Sequence, residues 1–541
     1  MPRRRTIAIV SVTAVLLAGA AAGGGYYLLR TRGTPAETAQ RFTQAWQRGD
    51  LTAMRAELTG PVPGFSQAYD RLDDALGPRS TMVKVTGVRE DDQGATAGYS
   101  VVHDFRSGGR WAYDGSLRLV VSERRWKVRW TQAAVHPDLA PGRRIELRSR
   151  WPARAELTDA GGERIDDGDD GGSVAQLTGA LGKATAKDVT ALGGAYRVGD
   201  IVGKSGLQAT FQRRLAGVPA TDVQLLGAGG EPIKPLGGLP GEDGEPLRTT
   251  LDLTVQKAAA DAIRKIEKPA ALVAVRPSTG EILAVANNSP FNRALEGSYA
   301  PGSTFKAVTA IGLLASGMTP GEQVTCPKDA NVGGLAIRNS DHAEYGALSF
   351  ADSFAHSCNT TFAPLAAERL GADKLLETAE AVGFNQPLDI GVPAVKSSLP
   401  KAADAADLAA ESFGQGRITA SPLVMASVAA AIADGTWRPP TLVGSIQQRV
   451  PPKEFPEGVA GPLRQMMLDV VTKGTAKDAG LPDGTRGKTG TAEFGTADPP
   501  ETHAWFIGFR GDIAMSVIVE GGGGGGKVAA PVAADFLRAM E

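Results

Sequence analysis

The sequence predicts a multidomain α+β protein that is held to a membrane at its N-terminus. An uncharged run of 24 residues, Thr6–Leu29, follows a cluster of arginines. Residues 34–153 begin with helical periodicity and continue as strands. Residues 249–541 run from strands through helices to further strands and a last helix, which predicts a central sheet flanked by helices. A length of 541 residues is enough for several such domains.

The overall composition excludes some classes of function. The formal net charge is −1, so there is no electrostatic case for nucleic-acid binding, and we expect no nucleic-acid partner. The hydrophobic fraction of 42% is sufficient for buried cores. No group of side chains has the spacing of metal ligands, so we expect neither a metal nor another cofactor.

The N-terminal segment predicts a single membrane crossing. Arg3, Arg4 and Arg5 precede Thr6–Leu29, which is long enough to span a bilayer as a helix. Because basic residues stay on the cytoplasmic side, residues 1–33 are expected to form a cytoplasmic stub and one transmembrane anchor in the plasma membrane. The rest of the chain would then be extracytoplasmic. A cleaved signal peptide stays open as an alternative, since Ala20–Ala22 offers small residues for cleavage.

Residues 34–153 are predicted to form a small α+β domain. Pro35–Gln47 has helical periodicity, and Asp50–Leu58 continues as a second short helix. Period-two segments rich in Val, Tyr and Trp then predict four strands, at Thr81–Arg89, Ala95–Asp104, Arg110–Glu123 and Arg125–Gln132.

Residues 154–248 are rich in glycine and aspartate and predict a linking module before the C-terminal domain. In residues 249–541, a helix at Leu251–Ile266 precedes a β-hairpin, and a mostly helical stretch reaches Asp434. The predicted strands of this domain are Ala270–Arg276, Ile282–Ala286, Gly487–Ala492, Thr502–Arg510 and Ile513–Glu520, before a last helix at Ala529–Met540. The run Gly521–Gly526 is expected to be a flexible loop and not a phosphate cradle, because no Walker-type Lys-Ser/Thr follows it.

The chain has two cysteines, Cys326 and Cys358. An exported protein can keep a disulfide. The sequence does not show whether the two Cα atoms lie within bonding distance, so a disulfide and two free buried thiols both stay open.

Ser303 and Lys306 are candidates for nucleophilic catalysis. They stand three residues apart at the start of an apolar helix, and this spacing places both side chains on one face. The helix N-terminus offers free N–H groups to a developing oxyanion. Lys306 can accept the Ser303 proton only if its pKa is lowered, which burial or a second cation would do. Ser398–Lys401 repeats the spacing, but Pro400 argues against a regular helix there.

Two further motifs follow Ser303-Thr304-Phe305-Lys306 along the chain. They are Ser357-Cys358-Asn359 and Lys488-Thr489-Gly490-Thr491. The three motifs in this order resemble those of the penicillin-binding protein and serine β-lactamase superfamily. Matches at Tyr299–Gly302, Phe413–Gly416 and His503–Phe509 narrow the resemblance to class B penicillin-binding transpeptidases over residues 251–541.

The same resemblance extends to the upstream modules. Residues 34–153 resemble an NTF2-like domain, and residues 154–248 resemble the linker or dimerisation module that precedes the transpeptidase domain at 249–541. It implies a domain of the β-lactamase and penicillin-binding type, with a central antiparallel sheet flanked by helices.

The resemblance also implies a role for each motif residue. Ser303 would attack the penultimate D-Ala carbonyl of a stem peptide, with Lys306 as proton acceptor. Ser357 would relay a proton toward the leaving nitrogen, and Asn359 would bind a substrate amide and hold Lys306.

The third motif would bind the substrate. Lys488 supplies positive charge, Thr489 binds the terminal carboxylate, and Gly490 and Thr491 complete the binding strand. The backbone N–H groups of Ser303 and Thr491 would form the oxyanion hole. β-Lactams would acylate the same serine.

The two histidines next to the motifs, His356 and His503, are expected to have packing roles.

Three other functions stay open. A β-lactamase of the same fold lacks support, because no Glu-x-x-Leu-Asn follows Asn359 where the class A pattern would place it. A D,D-carboxypeptidase would use water as acceptor, and a non-catalytic penicillin sensor would have lost motif residues. For a transpeptidase we expect stem peptides as substrates and a separate glycan polymerase as partner, because no glycosyltransferase domain is visible.

Overall fold

The computed structural model describes residues 31–105, 109–166, 173–497 and 499–541, which divide into two units. The first contains the described residues up to Arg154 together with Ala184–Val198 and Ala216–Gly244. The second contains Ala155–Lys183, Gly199–Leu215 and Glu245–Glu541. Residues 154–248 therefore contribute to both units. The predicted membrane span lies outside the described residues, and none of the described helices is long and apolar enough to cross a membrane.

Three helices and a four-stranded antiparallel sheet form the core of the first unit. Helix α1 (Pro35–Gln47) begins at a capping box between Thr34 and Glu37, which satisfies two N–H groups at its start. Side chains of strand β2 alternate between buried and half-buried, so the helices cover one face of this sheet. The remaining elements are α2 (Leu51–Ala56), α3 (Phe65–Leu76), β1 (Pro78–Asp91), β2 (Gly94–Phe105), β3 (Arg110–Ser122) and β4 (Arg125–Val128).

A second sheet of the first unit joins distant parts of the sequence. Strand β5 (Arg144–Arg150) pairs antiparallel with β6 (Ala220–Leu226), which pairs with β7 (Pro232–Leu239). This sheet was not predicted from the sequence, and neither was helix α3.

The second unit is built on a five-stranded antiparallel sheet in the order β9-β8-β12-β11-β10. Strands β8, β9 and β12 are buried at nearly every position, so both faces are covered. Strand β10 lies at the edge. The predicted central antiparallel sheet is therefore confirmed, with strands β8 (Ala270–Val275), β9 (Ile282–Asn287), β10 (Arg486–Phe494), β11 (Glu501–Arg510) and β12 (Ile513–Val519).

Helices of the second unit pack on the sheet and around its edge strand. Helix α10 is apolar all round and buried along nearly its whole length, as expected of a helix inside a core. The helices are α4 (Leu253–Arg264), α5 (Lys306–Ala315), α6 (Phe350–Ala355), α7 (Asn359–Leu365), α8 (Gly371–Ala381), α9 (Ala405–Ser412), α10 (Pro422–Asp434), α11 (Ala460–Thr472) and α12 (Ala529–Arg538).

Shorter elements complete the described chain. The short α-helices are Ser173–Thr178, Ala186–Leu192, Gly206–Thr210, Gln212–Ala216 and Arg293–Glu296, and the other helical turns are Gln132–Ala134, Gly302–Phe305, Ser340–His342 and Ala366–Leu370. Paired short strands are Leu157–Thr158 with Leu247–Arg248, Leu181–Lys183 with Ile201–Gly203, Gln323–Cys326 with Gly346–Ser349, Asp329–Val332 with Leu335–Arg338, and Thr436–Trp437 with Lys453–Glu454.

The two cysteines form a disulfide, with their Cα atoms 6.0 Å apart. It joins the strand that ends at Cys326 to the residue between Ser357 and Asn359. Of the two possibilities that the sequence left open, the structure has the bonded one.

Candidate active site

Ser303 lies in a 3₁₀ turn, Gly302–Phe305, that leads into helix α5. Gly302 has a φ of +53°, and a Cβ on it would lie 2.7 Å from the Thr491 carbonyl oxygen. Only glycine fits both the left-handed backbone and this close approach. The turn is thereby brought against edge strand β10, with Ser303 directly beside the third motif.

Lys306 is fully buried and points at three groups of the predicted site. Its Nζ lies 2.8 Å from Ser303 Oγ, 2.9 Å from the Ser357 carbonyl oxygen and 2.5 Å from Asn359 Oδ1. Burial and the neighbouring Lys488 ammonium hold the pKa of Lys306 well below its usual range. The structure thus brings together the residues that the first and second motifs contribute.

The partners of Lys306 suit a neutral amine. The Ser357 carbonyl and Asn359 Oδ1 can only accept, so they take both N–H groups that a neutral amine has. The remaining lone pair then faces the Ser303 hydroxyl. In that arrangement Ser303 Oγ–H donates to Lys306, which is the starting geometry for removing the serine proton.

The orientation of Asn359 follows from its other partner. Its Nδ2 donates to the Arg338 carbonyl oxygen at 2.8 Å. Because a backbone carbonyl accepts only, this bond turns Oδ1 toward Lys306 and away from Arg338.

Ser357 occupies a strained corner between helices α6 and α7. Its φ of +62° lies in the left-handed region, which costs a residue with a Cβ about 1–3 kcal/mol. The Ser357 N–H donates to Phe354 O, the Cys358 N–H donates to Ser353 O, and the disulfide at Cys358 ties the corner to the strand ending at Cys326. The corner turns Ser357 Oγ toward both lysines.

Lys488 is the second buried lysine of the site and lies on strand β10. Its Nζ donates to Ser357 Oγ at 2.9 Å and to the Thr489 carbonyl at 3.0 Å. Burial lowers the pKa of Lys488 to about 7. Ser357 Oγ also lies 3.2 Å from Lys306 Nζ, so one hydroxyl connects the two amines and can pass a proton between them.

The rest of the third motif lies along the same edge strand. Gly490 packs against the start of α5, where a Cβ would be 2.8 Å from Thr304 Cγ2. Thr489 Oγ1 lies 2.5 Å from Thr475 Oγ1, and Thr491 adjoins Gly302. All eight site residues predicted from the sequence therefore lie in one cleft between helix α5, the α6–α7 corner and strand β10.

Comparisons with known proteins agree with this architecture. The penicillin-binding protein transpeptidase domain matches residues 270–538, the NTF2-like N-terminal transpeptidase domain matches 34–143, and the penicillin-binding protein dimerisation domain matches 169–249. Peptidoglycan D,D-transpeptidase PbpA of Mycobacterium tuberculosis is 33% identical over 336 residues, which cover 51% of this chain and 67% of that protein. The chain belongs to the class B penicillin-binding proteins.

Other relatives support the same assignment. PbpA of Mycolicibacterium smegmatis is 34% identical over 51% of this chain and 67% of its own length. A solved structure of penicillin-binding protein A from M. tuberculosis, a ceftriaxone acyl-enzyme complex, has a TM-score of 0.57 at 25% identity and covers 72% of this chain and 98% of its own. The serine-type transpeptidase class and the NTF2-like and dimerisation modules predicted from the sequence are confirmed.

Sequence reasoning missed two contacts that shape the site of this penicillin-binding protein. Thr475 follows helix α11, and no motif pointed to its hydroxyl beside Thr489. The buried Trp505 indole donates to the Ala300 carbonyl at 3.1 Å, which ties strand β11 to the segment before the nucleophile. A buried indole N–H needs a hydrogen-bond acceptor. This requirement is the only feature of the sequence from which the bond could have been predicted.

The two histidines predicted to have packing roles both make ring contacts. His503 stacks on Phe494 with ring centroids 3.9 Å apart, and its Nδ1 accepts from the Gly521 N–H. His356, next to Ser357, stacks on Tyr345.

The glycine run Gly521–Gly526 differs from the expected flexible loop. A Cβ on Gly525 would overlap the carbonyl oxygens of Gly490 and Trp505, and one on Gly526 would overlap the Thr475 carbonyl. These two glycines at the end of the run therefore pack directly on the third motif. Glycine is needed at both positions because the backbone before helix α12 approaches Gly490, Trp505 and Thr475 with no room for side chains.

Proposed function

We propose that this protein is a peptidoglycan D,D-transpeptidase in which Ser303 forms the acyl-enzyme. The observation that carries the proposal is the buried Lys306 amine, 2.8 Å from Ser303 Oγ, with its two N–H positions taken by Ser357 O and Asn359 Oδ1. Lys306 accepts the Ser303 proton as Oγ attacks the penultimate D-Ala carbonyl carbon of a stem peptide.

The tetrahedral oxyanion is stabilised by the backbone N–H groups of Ser303 and Thr491, which belong to the facing turn and strand. When the C–N bond breaks, Ser357 Oγ–H gives its proton to the leaving D-Ala nitrogen and recovers one from Lys306. The amine of a second stem peptide then attacks the ester, and its proton returns through Lys306, which restores the Ser303 hydroxyl.

Lys488 and Thr489 bind the terminal carboxylate of the donor. Lys488 contributes a positive field at the end of the cleft, and Thr489 contributes a hydroxyl on the edge strand. A β-lactam, which has a carboxylate and a strained amide at matching positions, acylates Ser303 by the same first step.

The test is labelling of the full-length protein with a fluorescent penicillin. Wild type should be labelled, Ser303→Ala should not, and Ser398→Ala should be labelled like wild type. Ser398 is the matched control because it begins the second Ser-x-x-Lys of the chain. Equal labelling of wild type and Ser303→Ala would contradict the assignment.

The same protein distinguishes the other candidate activities. Sustained nitrocefin turnover would indicate a β-lactamase. Release of D-Ala without formation of a cross-linked product in the presence of an acceptor peptide would indicate a carboxypeptidase.

A single N-terminal span with the catalytic domain outside the plasma membrane is part of the proposal. Its support is the cluster Arg3–Arg5 before the uncharged run Thr6–Leu29. Alkaline carbonate should leave the full-length protein in the membrane pellet and release a variant that lacks residues 6–29. Release of both would contradict the anchor.

A separate glycan polymerase is the proposed partner. Cross-linking consumes glycan strands that already have stem peptides, so a polymerising reaction must supply the substrate. Cross-linked product from lipid-linked precursor should therefore require an added polymerase.

A further inference from the structure

A pair of opposite charges spans the mouth of the catalytic cleft. Arg338 ends the short strand Leu335–Arg338, and Glu493 lies on edge strand β10. Arg338 Nη2 and Glu493 Oε1 are 3.9 Å apart, with side chains 57% and 54% exposed. Arg338 lies outside the three motifs, Glu493 lies two residues beyond Thr491 of the third, and both side chains are more than half exposed to solvent.

Each residue of the pair lies next to residues of the predicted active site. The Arg338 carbonyl accepts the Asn359 Nδ2–H bond that orients Asn359, so Arg338 belongs to the second-motif side of the cleft. Glu493 stands two residues beyond Thr491 on β10, about 7 Å further along the strand. Because side chains alternate along a strand, Thr489, Thr491 and Glu493 share one face.

The spacing along β10 sets the position of a bound donor, given the proposed function. A donor whose carboxylate is at Thr489 and whose scissile carbonyl faces the Thr491 N–H runs along the strand toward Glu493. The residue that precedes the acylated D-Ala then lies between Glu493 and Arg338.

We propose that Arg338 and Glu493 form a subsite for the side chain of that preceding residue, and that the preferred side chain ends in an ammonium and a carboxylate on one carbon. This rests on the proposed function and specifies its donor. Glu493 binds the ammonium, and the Arg338 guanidinium binds the carboxylate, which its planar fork can hold with two hydrogen bonds.

The chemistry favours a zwitterionic group over the alternatives. An exposed ion pair contributes little, so the two side chains separate at small cost to admit a ligand. A ligand with an ammonium alone satisfies Glu493 but places its charge beside the Arg338 cation. A neutral side chain breaks the pair and replaces neither contact.

Three donor peptides that differ only in the residue before D-Ala-D-Ala provide the test. That residue is diaminopimelyl, lysyl or norleucyl, and the quantity measured is kcat/KM for D-Ala release by the full-length protein in detergent. We expect the order diaminopimelyl, lysyl, norleucyl, with about tenfold between the first and last, as two weak exposed contacts would give.

The readout is the ratio of donors within each variant, so that a general loss of activity cancels. Arg338→Gln should reduce the diaminopimelyl-to-lysyl ratio to about one, and Glu493→Gln should remove the preference for lysyl over norleucyl. Arg369→Gln is the matched control, because Arg369 is half-exposed and pairs with Glu322 outside the cleft. It should leave all ratios unchanged.

Wild-type ratios near one, or ratios that survive both substitutions, would overturn the subsite. Benzylpenicillin acylation of the same preparation tests the proposed function separately, because the antibiotic has neither charge at this position. Acylation at Ser303 together with donor ratios near one would reject the subsite and leave the acyl-enzyme mechanism in place.

Discussion

The two units of this protein bury polar groups in opposite ways. In the first unit, the Tyr99 hydroxyl donates to Ala134 O at 2.9 Å and the Tyr113 hydroxyl donates to Val135 O at 2.7 Å. Burial raises the pKa of both phenols, so they stay neutral. In the second unit, burial lowers the pKa of Lys306 and Lys488, so it works against the charge these side chains would normally have.

The difference separates a structural polar cluster from a reactive one. The tyrosines are hydrogen-bonded in their ordinary protonation state, and their burial needs no change of charge. The lysine amines, among the described residues, bond to hydroxyl, amide and carbonyl oxygens, which satisfy N–H groups without neutralising a cation. Buried amines whose pKa is lowered and that have no counter-ion therefore indicate chemistry, whereas buried phenols with acceptors indicate packing.

The largest effect should come from exchanging the buried base for a permanent cation. Lys306→Arg should slow acylation by benzylpenicillin by about 10²–10⁴-fold, because a guanidinium does not give up its proton to become a base. Tyr113→Phe in the first unit is the contrasting variant and should acylate within twofold of wild type. Stopped-flow or quenched labelling gives both rates. Comparable losses in the two variants would remove the distinction between the clusters.

The disulfide should stabilise only the unit that contains the catalytic site. Its cysteines are 32 residues apart in sequence, and closing a loop of that size contributes about 2–4 kcal/mol to the free energy of unfolding. The double variant Cys326→Ser/Cys358→Ser should unfold at correspondingly lower urea concentration. Reductant should shift the wild type in the same direction and leave the double variant unchanged. A reductant effect on the double variant would refute the explanation.

A smaller effect tests the packing of the glycine run against the third motif. Gly525→Ala should lower the free energy of unfolding by about 1–3 kcal/mol, because the added methyl overlaps the Gly490 and Trp505 carbonyls. Gly444→Ala is the control, since a Cβ there meets no atom within 4 Å. Equal stability of the two variants would contradict close packing of Gly525 against strands β10 and β11.

The smallest effect concerns a single hydrogen bond of the first unit. Tyr99→Phe removes the bond to Ala134 O and should cost about 0.5–1.5 kcal/mol of stability. Chemical denaturation measures this cost, and penicillin labelling of the folded variant should be normal. Loss of labelling would show that the structural cluster contributes to catalysis.

Local sequence patterns predicted the helices and contacts that depend on residues close together in the chain. Pro35–Gln47 agrees with the structure at both ends because its periodicity and its cap at Thr34 lie next to each other in the chain. The contact between Ser303 and Lys306 was predictable for the same reason, since helical geometry relates residues three apart.

Contacts between distant residues could not be predicted in this way. Pairing of β5 with β6 joins segments about 70 residues apart, and no turn signal sets its register. The left-handed Ser357 is held by contacts from Phe354 and Cys326, and the Thr475 hydroxyl reaches Thr489 only after the chain has folded. Helix α3 was missed because Gly64, the residue before its first turn, has no side chain to cap it.

The central claim is that burial and the neighbouring Lys488 lower the pKa of Lys306, so that its free amine can accept the Ser303 proton. The most direct measurement is the pH dependence of the second-order rate constant for benzylpenicillin acylation, from pH 5 to 10. The rate should rise through an inflection well below the ordinary lysine pKa of 10.5, since a lowered pKa makes the free amine available at lower pH. Lys488→Gln should move that inflection to higher pH, because it removes a cation that repels the Lys306 proton. An inflection near 10.5 in wild type, or no shift in Lys488→Gln, would contradict the account.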